Sequence, residues 1–187
     1  MIELTTPFSE EAISRLKVGD VICISGYIFC GRDAVLPRIC RELDANIWGK
    51  RGVDLQGGIV FHTAVSPAGV GPTSSNKLEI ESSFEPLSKA GVKIHLGKGA
   101  ISPSTVQALK ENNAVFAVIP PVTALLESQT LEREVVAFPE LGMEAFHRIR
   151  VENYQAILAA AHGESIYDYR DCTEGCGLSG TCRIHFP

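Results

Sequence analysis

The sequence has no surplus of positive charge. Its 17 Lys and Arg stand against 22 Asp and Glu, a net charge of −5, and such a balance argues against nucleic acid as a partner. It also has no apolar run long enough to cross a bilayer. The longest, Ala114 to Leu126, is interrupted by Pro120, Pro121 and Thr123, so no membrane is expected. The opening "MIELTTPFSEEAISRLK" is acidic and mixed, without the basic-then-apolar order of a signal peptide. No internal repeat and no long linker divides the chain. A cytoplasmic protein is expected, in which the six cysteines are thiols or metal ligands and not disulfides.

What is present is a substantial apolar fraction, 45% of 187 residues, enough for one core domain or a domain with a tail. Strand-like and helix-like segments alternate. "GDVICISGYIF" (Gly19 to Phe29), "GGIVFHTAV" (Gly57 to Val65), Val92 to Leu96, "AVFAVIPP" (Ala114 to Pro121) and "REVVAF" (Arg133 to Phe138) read as strands. Helices are expected at Phe8 to Leu16 with Ser9 as cap, at Arg32 to Leu43, at Pro103 to Glu111 behind Ser102, and for a turn or two at Val122 to Glu127. "GVGPTSSNKLEIE" reads as a turn followed by an uncertain segment, "PELGMEAFHRI" looks helical, and "RIRVENYQAILAA" is mixed in character. The alternation predicts the α/β class.

Three turns share one grammar. In "YIFCGRDAVLPRI" a strand ends, Gly31 turns and Arg32-Asp33 follow. In "GVGPTSSNKL", Gly71-Pro72 turn, hydroxyls follow from Thr73, and Lys77 closes the run. In "KIHLGKGAISPSTVQALKEN", Lys98 sits between Gly97 and Gly99 just before the helix that Ser102 and Pro103 start. Each puts backbone donors and a cation near a probable helix start, where unpaired N–H groups and the dipole favour an anion. Each is equally a plain glycine turn with a surface cation. If the three lie on one edge of one sheet, they form a pocket for a small polyanion.

These same motifs, "GRDAV", "GPTSSNKLE", "LGKGAIS" and "FPELGMEAFHRIRVENY", in this order, resemble the β region of the iron–sulfur hydro-lyases: the C-terminal domain of class I fumarases and the β subunit of L(+)-tartrate dehydratase. The likeness runs from about Leu4 to Tyr169. It implies a swivelling β/β/α domain over residues 1–170, a compact sheet with helices packed against it. It implies reversible hydration or dehydration of a small dicarboxylate, fumarate or a tartrate-like hydroxy acid. It also implies a [4Fe–4S] cluster carried by a separate α subunit rather than by this chain, in a homodimer or α2β2 assembly. On this likeness Arg32 clamps a carboxylate, Thr73 stands beside the carbon that exchanges a proton, and Lys77 and Lys98 complete a cationic wall. Thr73 and Lys98 are then the catalytic candidates, and this chain supplies no metal ligand. Two positions depart from the family pattern: Leu36 stands where a histidine is common, and Lys77 where an arginine is usual. They leave open an alternative, a divergent non-catalytic dicarboxylate-binding or regulatory module.

The tail "DCTEGCGLSGTCRIHF" (residues 171–186) offers Cys172, Cys176, Cys182 and His185, without a Cys-x2-Cys pair. It reads as a thiol-bearing tail, a metal site or a redox element. Cys23, Cys30 and Cys40 read as core, His62 and His95 as satisfied structural histidines within strands, and Trp48 as packing at a loop.

Overall fold

In the computed structural model, residues 1–43, 48–49, 51–73, 77–120 and 122–167 are described. A short strand β1 (Ile2–Thr5) precedes helix α1 (Glu10–Ser14), whose Ser9 cap accepts the Ala12 N–H while Glu10 and Glu11 occupy the first turn. Acidic residues there meet the positive end of the helix dipole. Then come β2 (Val21–Cys30) and α2 (Leu36–Arg41). Pro37 lies in the first turn of α2, where its missing N–H costs nothing. This is why the helix starts at Leu36 and not at Arg32, leaving Gly31 to Val35 as a turn.

The expected strand at Gly57 to Val65 is two strands, β3 (Gly58–Phe61) and β4 (Thr63–Ser66), which enter different sheets. β5 (Gly69–Thr73) pairs back on β4. Helix α3 (Lys77–Lys89) follows, then β6 (Val92–Gly97), α4 (Pro103–Glu111), β7 (Val115–Val118) and α5 (Thr123–Ser128). The chain ends its described course with β8 (Thr130–Ala137), a 3-10 turn at Pro139–Glu144, the 16-residue β9 (Phe146–Ala161) and β10 (Glu164–Ser165).

The main sheet closes on itself. β2, β3, β6 and β7 are parallel neighbours in that order, β7 pairs antiparallel with β9, and β9 runs back antiparallel along β2 from Val21↔Ile157 to Cys30↔His147. β1, β8 and β10 extend this ring at its borders. Because strand side chains alternate, each strand sends every second residue inward. The inside is filled by Ile22, Ile24, Ile28 and Cys30 of β2, Ile59 and Phe61 of β3, Ile94 and Leu96 of β6, and Tyr154, Ala156 and Leu158 of β9, all buried. The outward residues carry the helices. Phe29 and Val60 meet α2 through Val35, Leu36 and Ile39, and Phe116 meets α3 and α4 through Phe84, Val106 and Leu109. The class is therefore α/β as expected, with a sheet-dominated core. No helix among the described residues is long and apolar enough to cross a membrane.

Candidate active site at the carboxyl ends of the parallel strands

Three hydrogen bonds line up the ends of the parallel strands. Gly31 N donates to Phe61 O (3.1 Å), His62 N to Leu96 O (3.0 Å) and Ile119 N to Gly97 O (3.1 Å). The segments leaving β2, β3, β6 and β7 therefore emerge side by side, at the edge where α/β sheets place their ligands. The middle turn joins them by another route. β4 begins one residue past His62, and β5 returns antiparallel so that Thr73 lies opposite Thr63.

At this edge lies a cavity of about 400 Å³, with Thr73, Gly97, Lys98 and Gly99 in its lining together with His62, Glu81, Ile80, Phe84, Ala100, Ile101 and Phe116. Thr73 and Lys98 are thus brought together. Thr73 is 6% exposed, and its Oγ1 is buried with no hydrogen-bond partner among the described residues. Such an atom carries a desolvation cost that a bound polar group would relieve.

The two glycines beside Lys98 have different causes. A Cβ on Gly97 would stand 2.9 Å from Phe116 Cε2, so the strand end is glycine because the ring occupies that space. Gly99 has φ +71°, in the left-handed region that disfavours other residues. Lys98 between them is exposed. Beyond it, Ser102 caps α4 by accepting the Thr105 N–H. Glu81 of α3 fixes that corner: its Oε2 accepts from Ser102 N (2.8 Å), Ser102 Oγ (2.5 Å) and Thr105 Oγ1 (2.5 Å). The start of α4, whose cap lies four residues beyond Lys98, is thus held by a carboxylate of α3.

Arg32 leaves the neighbouring strand end but does not line this cavity. Its Nε lies 3.0 Å from Glu144 Oε1, within ion-pair distance but not aligned as a hydrogen bond. The other oxygen of Glu144 accepts the Ala34 N–H (3.1 Å). The 3-10 turn thereby anchors the Gly31-to-Val35 segment. Lys77 opens α3, but its side chain lies outside the described residues. Leu36, 1% exposed, is packed in the outer apolar cluster. Cys172, Cys176, Cys182 and His185 lie outside the described residues.

His62 was expected as a satisfied structural histidine, and this is corrected. It is 1% exposed, its Nε2 faces His95, and its Nδ1 is buried without a hydrogen-bond partner among the described residues, while the residue itself borders the cavity. His95, 0% exposed, is satisfied at both nitrogens, by His62 and by Ser88 Oγ. Burial holds both imidazoles neutral, with His95 pulled down to about 3 and His62 also well below its ordinary value. Trp48, 4% exposed, packs edge-on to Phe146.

Among the described residues, no group of three or more His, Cys, Asp or Glu side chains is gathered where it could hold a metal ion. Cys30 is inside the closed sheet, where burial pushes its thiol far above the usual range, and Cys40 is raised to about 11 by the same cause.

The domain is thus an α/β fold with a closed mixed sheet, and a cavity lined by Thr73 and Lys98 lies at the carboxyl ends of its parallel strands. Comparison with known proteins narrows this. The Fumarase C-terminus family model matches residues 1–170, and the chain belongs to that family. It is 31% identical to the L(+)-tartrate dehydratase β subunit of Escherichia coli, over 87% of this chain and 85% of that protein. A candidate L(+)-tartrate dehydratase β subunit of Methanocaldococcus jannaschii is 27% identical over 86% of this chain and 88% of its own length. A candidate class I fumarate hydratase of Geobacillus stearothermophilus is 32% identical over 90% of this chain, which spans only 34% of that longer relative.

Proposed function

We propose that this chain is the β subunit of a heteromeric hydro-lyase that reversibly hydrates or dehydrates a small dicarboxylate, fumarate or a tartrate-like hydroxy acid. The observation that carries the reading is the joint presence of Thr73 and Lys98 in one cavity at the strand ends. They come from motifs far apart in the sequence. The family match and the β-subunit relatives point to the same reaction class. The fold is then the swivelling β/β/α domain of that family.

Hydration of a dicarboxylate needs its carboxylates held and the developing negative charge stabilised. The Lys98 ammonium, exposed at the cavity, supplies a point charge for one carboxylate. The Thr73 hydroxyl, buried and without a partner among the described residues, would touch the reacting carbon's proton or hydroxyl. Arg32 at the adjacent strand end and Lys77 at the start of α3 are proposed as further anchors, Arg32 being released from Glu144 as substrate or partner arrives. A [4Fe–4S] cluster would supply Lewis-acid chemistry. The described residues of this chain do not fit as its ligands, so the proposal assigns it to an α subunit, with the complex a homodimer of such pairs.

The test is anaerobic co-purification with a cluster-bearing α subunit, followed by fumarate and L(+)-tartrate hydro-lyase assays on wild type, Thr73→Ala and Lys98→Ala. Turnover that requires both chains and falls by roughly two orders of magnitude or more in either variant supports the reading. A stable complex with no turnover on either acid would replace it with the dicarboxylate-binding module that Leu36 and Lys77 suggest.

A further inference from the structure

Behind the Thr73–Lys98 cavity stand two buried imidazoles and a serine that this reading does not use. His62 Nε2 is 3.2 Å from His95 Nδ1, and His95 Nε2 is 2.9 Å from Ser88 Oγ on α3. Phe84, one helical turn before Ser88, lies flat against His95 with ring centroids 4.4 Å apart, and its ring is 4.6 Å from His62. The two rings are thus fixed in place by packing and by each other. Three of their four nitrogens are engaged. The fourth, His62 Nδ1, is buried without a hydrogen-bond partner among the described residues. The other buried orphan of the same cavity lining is Thr73 Oγ1. Buried polar atoms are almost always paired, so two orphans in one lining mark where a polar partner belongs.

The row of hydrogen bonds permits two neutral arrangements. In one, His62 Nε2–H donates to His95 Nδ1, His95 Nε2–H donates to Ser88, and His62 Nδ1 is left as a bare acceptor. In the other, Ser88 O–H donates to His95 Nε2, His95 Nδ1–H donates to His62 Nε2, and His62 Nδ1 carries the proton. An ionised carboxylate only accepts hydrogen bonds, so it is complementary to the second arrangement alone. Burial disfavours the imidazolium form of either ring, so the choice is between tautomers and not between charge states.

We propose that His62 is a substrate-binding residue of this site: its Nδ1–H tautomer donates to a carboxylate oxygen of the bound dicarboxylate, and His95 and Ser88 are positioning residues that hold it in that tautomer. The inference rests on the dicarboxylate reading above and deepens it. Lys98 contributes charge without a fixed direction. His62 contributes a directed donor with no charge, which would discriminate between acids by where their second carboxylate lies.

The experiment uses the full chain with its histidine rings labelled with nitrogen-15, titrated with L-malate and with L(+)-tartrate, while calorimetry gives the affinity. Assignment comes from loss of the signals in His62→Gln and His95→Gln. As acid saturates, the His62 Nδ1 signal should move to the protonated-nitrogen position and Nε2 to the unprotonated one, with the calorimetric midpoint. His62→Gln keeps a group that reaches His95 but has nothing at Nδ1, and should weaken binding about tenfold; His62→Asn keeps an amide near Nδ1 and should lose about threefold or less. Ser88→Ala should shift the tautomer balance of His95 in the free protein, a change that a merely structural serine would not produce, and Ser88→Thr should restore it. Binding with unmoved His62 signals, or with wild-type affinity in His62→Gln, overturns the assignment of His62 and leaves the dicarboxylate site standing. No binding of either acid to the wild-type chain, alone or in complex with its α subunit, removes that site, and this inference with it.

Discussion

Gly97 lies against the edge of the Phe116 ring, so close that an added Cβ would be 2.9 Å from Cε2 and 3.3 Å from Cζ. Phe116 is itself 2% exposed among Phe84, Val106 and Leu109, with little room to retreat. Gly97→Ala should therefore cost about 1–3 kcal/mol of stability through overpacking, read as a lower urea midpoint at unchanged slope. Pairing it with Phe116→Leu should recover part of that loss. If Gly97→Ala alone is neutral, the ring is not what demands glycine there.

Glu81 binds the start of α4 through Ser102 and Thr105. Ser102→Ala removes the N-cap and should cost about 1 kcal/mol. Glu81→Gln weakens three charge-assisted hydrogen bonds together and should cost about 1–2 kcal/mol. Because both residues act on one corner, the double variant should lose less than the sum of the two. An additive result in a double-mutant cycle would show that the two do not share a network.

The buried histidines make stability depend on pH. Unfolded, each titrates near 6.5. Folded, His95 is held down to about 3 and His62 is also well below its ordinary value. Between those limits the unfolded chain binds more protons than the native one, so stability is present at neutral pH and is lost as pH falls below about 6.5. Each group contributes a slope of up to about 1.4 kcal/mol per pH unit in that window. Urea unfolding at pH 7, 6 and 5 should show the fall, and His95→Gln should flatten it by about one proton. An unchanged slope in that variant would mean His95 is not buried neutral. The measured range, pH 7 to 5, lies above that in which Glu10 and Glu132, both held below the ordinary carboxylate value by hydrogen bonds led by Lys93 and Arg150, come into play.

Glu144 holds the Gly31-to-Val35 turn by accepting the Ala34 N–H and by lying beside Arg32. Its side chain is 28% exposed, and solvent screens it in part, so Glu144→Gln should cost about 1 kcal/mol or less globally. The local effect is larger in kind: the Ala34 amide should exchange with solvent faster while amides of β2 keep their protection. Uniform acceleration across β2 would show that the anchor is global.

Much of the fold was legible because local chemistry and tertiary environment agreed. Ser9, Ser102 and Pro103 marked helix starts that the structure keeps, and Val92 to Leu96 is a strand on any reading of its β-branched run. Where they disagreed, the sequence misled. α3 carries Ser82, Ser83 and Pro86, poor helix formers, and its signal was only the spacing of Ile80, Phe84 and Leu87 at i, i+4 and i+7. β9 was masked by a composition suited to helix, although inward and outward residues alternate along much of it. At the site, the glycine turns announced Lys98 and Thr73. His62 was hidden, because a histidine at a strand end looks the same whether both nitrogens are satisfied or one is left over. Only the placement of Ser88 and His95 across two other elements decides that.

The long strand β9 has a consequence for how the chain is made. Val21 is hydrogen-bonded in register to Ile157, and β7 also needs β9 on its open side. A ribosome that has delivered β1 to β8 has delivered a ring with a gap, its inward Ile and Leu side chains wet on one flank. The seam can close only once β9 has emerged as far as Ala160, the partner of Phe116. Until then those apolar flanks stay open to association with other chains.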